Sequence, residues 1–150
     1  MGDRTNVYLD VLVPQADAAK ELFDFEPDSA YQNGNRFIEF EFNEINHGTL
    51  DFLDKLQEAG IAFDSSWAQG SEYGPGTTFC RFTAEGTVVR FDRYDSEAHP
   101  DLSCLMERID NPVELREFIL KHHESVTPLP WDNQEEYGKL YRTKQLINPQ

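Results

Sequence analysis

The sequence predicts a single α+β domain, with a mainly antiparallel β-sheet that is covered by helices on one face. Five stretches alternate apolar with polar residues, which is the period of a half-buried strand. In four other stretches, apolar residues recur every three or four positions, as they do on one face of a helix. The predicted order is β-α-β-α-β-β-β-α-α, which is compatible with a sandwich of the ferredoxin-like type. At 150 residues, one such domain is expected.

The first half of the chain alternates strands and helices. Its predicted elements are a strand over 7–13, a helix over 15–23, a loop over 25–35, a strand over 37–45, a helix over 49–59 and a strand over 61–67. In the second helix, Leu50, Leu53 and Leu56 form the inward stripe. We expect Thr49 to cap this helix and Gly60 to end it, because hydroxyl side chains favour helix starts and glycine favours helix ends.

The second half contains a predicted hairpin followed by a helix pair. The hairpin strands cover 77–83 and 87–94. They are joined at Ala84–Gly86, a three-residue turn with glycine at its left-handed position. One helix starts at Pro100. Asn111, Pro112 and Glu114 form the start signature of another helix, which runs to about residue 123. The residues expected to face inward from this pair are Leu102, Leu105, Met106, Ile109, Leu115, Phe118, Ile119 and His122.

The chain divides into a core domain over residues 1–124 and a C-terminal arm over residues 125–150. Prolines stiffen the arm at Thr127–Trp131. Asp132 can cap a last helical turn or two, which Gly138 weakens by about 1 kcal/mol. We expect so apolar an arm to pack on the core or on a partner, and a homo-oligomer would form if its aromatic residues docked on a second copy. These aromatic residues are Trp131, Tyr137 and Tyr141.

Composition argues against several classes of protein. The chain has 28 acidic and 13 basic residues, a formal net charge of −15 and a pI of about 4.5. Its aromatic content of 13% argues against broad disorder, and no run reaches the roughly 20 apolar residues of a membrane span. Two cysteines without CxxC spacing do not form a disulfide framework. We therefore expect a cytoplasmic protein, whose charge disfavours direct binding of nucleic acid.

The negative charge is concentrated in the first half of the chain. Residues 1–72 carry a net charge of −11, and residues 73–150 carry −4. One interpretation is that this acidity only keeps the protein soluble. The functional interpretation is that the carboxylates imitate phosphates and bind a basic nucleic-acid-handling protein. The candidate partner-binding residues are Asp17, Glu21, Asp24, Glu39, Glu41, Asp51, Asp54 and Glu58.

The sequence contains no motif that predicts catalysis. Glu39 and Glu41 share a strand face, but they would need unequal environments to act as an acid and a base. The stretch Asp92–Asp101 gathers oxygen ligands and one histidine, yet it matches neither an EF-hand nor a zinc spacing. Phosphate-binding and nucleophile motifs are not found either. We therefore expect a non-enzymatic protein without a cofactor or a metal ion.

The alternative is a small enzyme or ligand-binding domain with its site near the Trp67–Gly76 loop. This loop contains three glycines, so it is a candidate lid over the neighbouring end of the sheet. The stretch that follows the last predicted strand would supply polar groups to the same site. The residues of this alternative site are Trp67, Tyr73, Asp92, Asp95 and His99. A cavity with converging polar groups would favour this alternative.

Four stretches carry a resemblance to known proteins: Ile61–Trp67, Tyr73–Gly76, Cys80–Thr83 and Thr127–Asp132. With their surroundings, about half of the chain resembles small proteins of unassigned function that plasmids and prophages carry. Small acidic proteins of such elements include inhibitors of host restriction or CRISPR nucleases. The resemblance therefore implies a docking function for the acidic residues, and it identifies no target.

Overall fold

The computed structural model describes residues 3–148. In these residues, the strands are β1 (Arg4–Leu12), β2 (Ser29–Asn33), β3 (Phe37–Asn46), β4 (Phe63–Trp67), β5 (Gly76–Phe82) and β6 (Val88–Tyr94). The helices are α1 (Ala16–Glu21), α2 (Leu53–Glu58), α3 (Leu102–Met106), α4 (Pro112–Val126) and α5 (Gln134–Ile147), with 3₁₀ turns at Val13–Gln15 and Asp95–Ala98. The predicted α+β domain with an antiparallel sheet is confirmed.

Neighbouring strands in the sheet are antiparallel, in the order β2-β3-β1-β4-β5-β6. The first four strands and the first two helices follow the β-α-β-β-α-β order of a ferredoxin-like unit. The connections β1–α1–β2 and β3–α2–β4 each skip one position in the sheet. As a result, β3 lies between β1 and β2, and β1 lies between β3 and β4. The hairpin β5–β6 then extends this unit by two strands. The predicted order of elements was compatible with a ferredoxin-like sandwich but lacked β2, which completes the unit.

The core lies between one face of the sheet and the helices α1 and α2. The strand register places Val7 opposite Phe42 and Trp67, and Leu9 opposite Phe40. All of these except the tryptophan are at most 1% exposed. The helices contribute Ala16, Ala19, Leu53 and Leu56 to the same cluster. Burial of each large apolar side chain stabilises such a fold by about 1.5–3 kcal/mol.

Two local predictions in the first half of the chain are wrong. The stretch 25–35 contains β2, where the sequence predicts only a loop. All residues of β2 are exposed, because it is an edge strand that pairs with β3 alone and needs no apolar alternation. Helix α2 begins at Leu53 rather than after Thr49, and Phe52 stands at its N-cap without a side-chain hydrogen bond. Leu50 is buried nonetheless, from the turn that precedes the helix.

The helices α3 and α4 confirm the predicted cap but only part of the predicted inward face, of which Leu105, Leu115, Phe118 and His122 are half-buried. The Asn111 side chain accepts a hydrogen bond from the Glu114 amide at 3.2 Å. The pair is held by Arg108, whose guanidinium lies 4.2 Å from the ring centre of Phe118 and donates to the Cys104 carbonyl. Helix α3 has five residues, and no residue of the fully described α4 is buried. The exposed apolar side chains are Leu102, Met106, Ile109, Val113, Ile119 and Leu120.

After α4, the chain crosses the face of the sheet that lies opposite the core. Arg81 and Arg93 project from that face, since Arg81 alternates with core residues along β5. The Arg81 Nε donates to the Leu129 carbonyl at 2.9 Å, and the Arg93 Nη1 donates to the Val126 carbonyl at 2.7 Å. These bonds fasten residues 126–129 to β5 and β6.

Helix α5 then packs on the core and is longer than the predicted turn or two. Asn133, rather than Asp132, is its N-cap residue. The Gln134 side chain accepts from the Phe82 amide at 2.7 Å and donates to the Phe82 carbonyl at 2.9 Å. The Tyr141 ring lies 5.0 Å from the Phe82 ring, centre to centre. At the end of β5, the Gln134 side chain therefore makes the hydrogen bonds with Phe82 that a neighbouring strand would otherwise make.

Candidate functional site

Six of the eight predicted partner-binding acids lie on the outside of the helix layer. We call this set the acidic helix surface; it consists of Asp17, Glu21, Asp24, Asp51, Asp54 and Glu58, all exposed. Asp24 pairs with Lys55, and Asp54 pairs with Arg90 at 2.6 Å. The other four acids take part in no salt bridge within residues 3–148. Their full charge therefore faces solvent.

The remaining two predicted acids, Glu39 and Glu41, do not join that surface. They alternate with Phe40 and Phe42 along β3, and those phenylalanines point into the core. Glu39 and Glu41 therefore project from the opposite face of the sheet, where Glu41 accepts a hydrogen bond from the Ser29 hydroxyl at 3.0 Å. The eight predicted residues thus lie on two sides of the molecule and do not form one docking surface.

Glu39 belongs instead to a row of carboxyl groups across three strands. The register places Asp10 of β1 directly opposite Glu39 of β3 and Asp64 of β4. Side chains in such positions have Cβ atoms about 4.5–5.5 Å apart. Burial, together with the neighbouring carboxylates, raises the pKa of Asp10 to about 7. Burial also raises the pKa of Asp64, although the Arg81 guanidinium opposes that shift.

Arg81 closes this row at its β5 side. The residue is 2% exposed, and its Nη1 lies 2.7 Å from a carboxylate oxygen of Asp64. The same nitrogen donates to the Phe63 carbonyl at 3.1 Å. The guanidinium lies 3.7 Å from the ring centre of Trp131. Every face of this cation is occupied by the chain itself, so Arg81 anchors the C-terminal segment.

The alternative site contains a cavity of about 350 Å³ on the helix side of β4, β5 and β6. Three residues predicted for this site, Trp67, Tyr73 and Asp92, line the cavity. The other two, Asp95 and His99, are exposed and are not among its lining residues. Three of the five residues predicted for the alternative site therefore lie around one cavity, and two do not.

The Gly70–Gly76 loop beside the cavity is held by specific hydrogen bonds. The Asp3 carboxylate accepts from the Ser71 amide at 2.9 Å and from the Glu72 amide at 3.2 Å. These bonds lower the pKa of Asp3, and the Ser71 amide makes the largest contribution. The Trp67 indole nitrogen donates to the Gly74 carbonyl at 2.9 Å. The loop thereby fixes the indole ring in the wall of the cavity.

Sequence reasoning missed most of the cavity wall. The missed lining residues are His47, Thr49, Leu53, Thr78, Arg90, Tyr94 and Glu97. The sequence did contain a signal for Arg90 and Tyr94. Each is two positions away from Asp92 along β6, so all three side chains point to the same face of the sheet. His47 follows β3, and its place in the wall depends on how that turn packs against Trp67. No pattern in the sequence reports such a contact.

No family model, curated protein or solved structure matches this chain. Within residues 3–148, no helix is long and apolar enough to cross a membrane. Over the same residues, no group of three or more His, Cys, Asp or Glu side chains is placed to hold a metal ion.

Proposed function

We propose that this protein is a non-enzymatic interaction protein whose acidic helix surface binds a basic site on a nucleic-acid-handling protein. Carboxylates on two neighbouring helices and on the turns beside them would occupy positions that phosphates take in such a site, and the protein would act as a competitive inhibitor. We propose that it acts in the cytoplasm, together with its partner.

The observation that carries the proposal is the orientation of α1 and α2. Both helices bury their apolar side against the same face of the sheet, so their acidic sides face outward together. Asp17 and Glu21 of α1 are neighbours at i, i+4 spacing, and like charges there cost a few tenths of a kcal/mol. Such a surface costs some stability, has few internal partners and would attract a cation-rich partner.

Charge reversal tests the proposal. The variant would combine Asp17→Lys, Asp51→Lys and Glu58→Lys, three exposed acids without a salt bridge among the described residues. Wild type and variant are compared for retention of host proteins across a salt series, with the retained proteins identified by mass spectrometry. We expect the wild type to retain a basic nucleic-acid enzyme at low salt, duplex DNA or RNA to compete with it, and the variant to lose it.

A matched control variant changes the net charge by the same amount elsewhere. It combines Asp110→Lys, Glu117→Lys and Glu124→Lys, which are exposed positions in and before α4. We expect this control to keep the partner. If both variants lose the partner equally, only the overall charge matters and the acidic helix surface is not the docking site. If the wild type retains no nucleic-acid enzyme at any salt concentration, the proposed function is wrong.

A further inference from the structure

The cavity on the helix side of β4–β6 has aromatic walls. Trp67, Tyr73 and Tyr94 all line it. The rings of Trp67 and Tyr94 meet edge to face, with centres 5.9 Å apart and planes at 88°. Gly76 makes room for this arrangement, because a Cβ atom at that position would lie 2.3 Å from the indole Cζ2. Aromatic rings around a cavity offer the negative faces that attract cations.

The charged groups in the wall leave an excess of negative charge. Asp92 and Glu97 line the cavity, and neither takes part in a salt bridge among residues 3–148. Asp92 accepts one hydrogen bond, from the Thr78 hydroxyl at 2.7 Å, and a carboxylate has room for about four. The wall also contains Arg90, whose charge is already matched by Asp54 at 2.6 Å.

The chain itself contains a bound guanidinium in surroundings of the same kind. Arg81 lies over the ring of Trp131 at 3.7 Å and pairs with the Asp64 carboxylate at 2.7 Å. A tryptophan, a carboxylate and backbone carbonyls suffice there to hold a planar cation. Trp67 and Asp92 offer the cavity the same two groups, and no cationic side chain of the described residues forms a salt bridge with Asp92.

We propose that this cavity binds a guanidinium group, stacked against its aromatic rings and hydrogen-bonded to Asp92 and Glu97. Guanidinium is planar and weakly hydrated, so it stacks on rings and donates to carboxylates at once, which an ammonium group does less well. The net charge of −15 raises the local concentration of any cation. A volume of about 350 Å³ lies within the range of small-molecule sites. The cavity adjoins the acidic helix surface at the Arg90–Asp54 ion pair, but the proposed site does not depend on the function of that surface.

The indole N–H signals of the two tryptophans provide the test. The probe is Nα-acetyl-arginine amide, and Nα-acetyl-citrulline amide, which has nearly the same shape but no charge, is the control ligand. In ¹⁵N-resolved NMR titrations, we expect arginine amide to shift the Trp67 signal saturably and citrulline amide to leave it in place. The Trp131 signal should not move, because the Arg81 side chain already covers that ring. Trp67→Phe assigns the two signals.

Matched variants separate the site from the general field of the protein. Asp92→Asn keeps an acceptor for Thr78 and should weaken binding of arginine amide by about tenfold or more. Asp95→Asn removes the same charge three residues along the chain but outside the cavity wall, so binding should change less than about twofold. Equal weakening by both variants would show attraction by net charge alone and overturn the proposal. Failure to saturate the Trp67 signal below about 10 mM, or an equal response to citrulline amide, would also overturn it.

A second arm distinguishes a free guanidine from an arginine side chain of another protein. The probe there is an acetylated Gly-Arg-Gly amide, in which the same side chain is flanked by backbone. Binding at least as tight as that of arginine amide identifies a protein side chain as the natural source. Binding of arginine amide alone identifies a free small molecule. Absence of binding by both probes overturns the proposal, while the acidic helix surface is tested separately by charge reversal.

Discussion

Asp10 shows how the sheet register controls the chemistry of a single residue. Its carboxyl group lies between Glu39 and Asp64 on the face opposite the core. Burial is the main cause that raises its pKa to about 7, and the two neighbouring carboxylates add to the shift. In the unfolded chain the pKa is near the ordinary value of 3.8. The folded state therefore binds this proton more tightly than the unfolded state does.

The free energy of unfolding should consequently fall as the pH rises from about 4 to 7, because the stabilising proton is lost across that window. Asp10→Asn removes this contribution without adding a charge. We expect the variant to have a flatter pH dependence and to be more stable than wild type at about pH 8, by on the order of 1 kcal/mol. Urea unfolding at several pH values measures both effects.

Asp17→Asn is the control for Asp10→Asn. Asp17 is exposed and forms no salt bridge within the described residues. Its replacement should leave the slope of stability against pH nearly unchanged. An Asp10→Asn variant with the slope of wild type would show that the carboxyl row does not control the pH dependence.

At the scale of elements, the contact between α5 and the end of α2 depends on two glycines. A Cβ atom on Gly138 would lie 1.9 Å from the Gly60 carbonyl oxygen, which belongs to the backbone and has little freedom to move. Helix propensity alone favours Gly138→Ala by about 1 kcal/mol. We expect the opposite result, a loss of at least about 2 kcal/mol in the free energy of unfolding, because α5 must move off the core.

Chemical denaturation of Gly138→Ala measures this loss, and Gly74→Ala serves as its control. Gly74 has no neighbour within 4 Å of an added Cβ and no positive φ. Alanine at that position should leave stability unchanged or raise it by about 0.4–1 kcal/mol. If Gly138→Ala were as stable as wild type, the close contact between the two backbones would not be rigid.

The elements also show what the sequence can and cannot predict. Local signals predicted several elements correctly. Asn111 caps α4 as expected, and the alternation of apolar residues identified the inner strands β1 and β3. Contacts between residues far apart in the chain were not predictable, because no local sequence pattern indicates which distant residues meet. From the sequence, Gly138 only indicates a weak helix. The structure shows that its missing side chain lets the backbone of α5 contact Gly60. The cavity was found in part from aromatic and polar residues around Trp67, whereas His47 joins it through tertiary packing alone.

At the scale of the whole molecule, a net charge of −15 opposes folding through self-repulsion. Few of the acids on the acidic helix surface have a cationic neighbour. Added salt should therefore weaken the repulsion between acidic side chains more than it weakens the attraction within ion pairs. We expect the melting temperature to rise between about 0.02 and 0.2 M NaCl, a range over which the screening length falls below the spacing of distant charges. Thermal unfolding followed by circular dichroism measures the rise.

The double variant Asp51→Asn/Glu58→Gln tests the source of this salt effect. Both side chains are exposed, and removal of their charges should raise the melting temperature at low salt and reduce its dependence on salt. A melting temperature that falls with added salt would mean that ion pairs such as Arg81–Asp64 outweigh the repulsion.

The contact between Gly60 and Gly138 also has a consequence for sequence evolution. The two positions are 78 residues apart, yet neither can gain a side chain while the other backbone stays in place. Gly60 is constrained a second time by its φ of 73°. Distant relatives of this chain should therefore keep glycine at both positions. Alternatively, both positions should change together with the packing of α5 on the core. Such paired glycines would help to recognise relatives whose overall similarity is too low to detect.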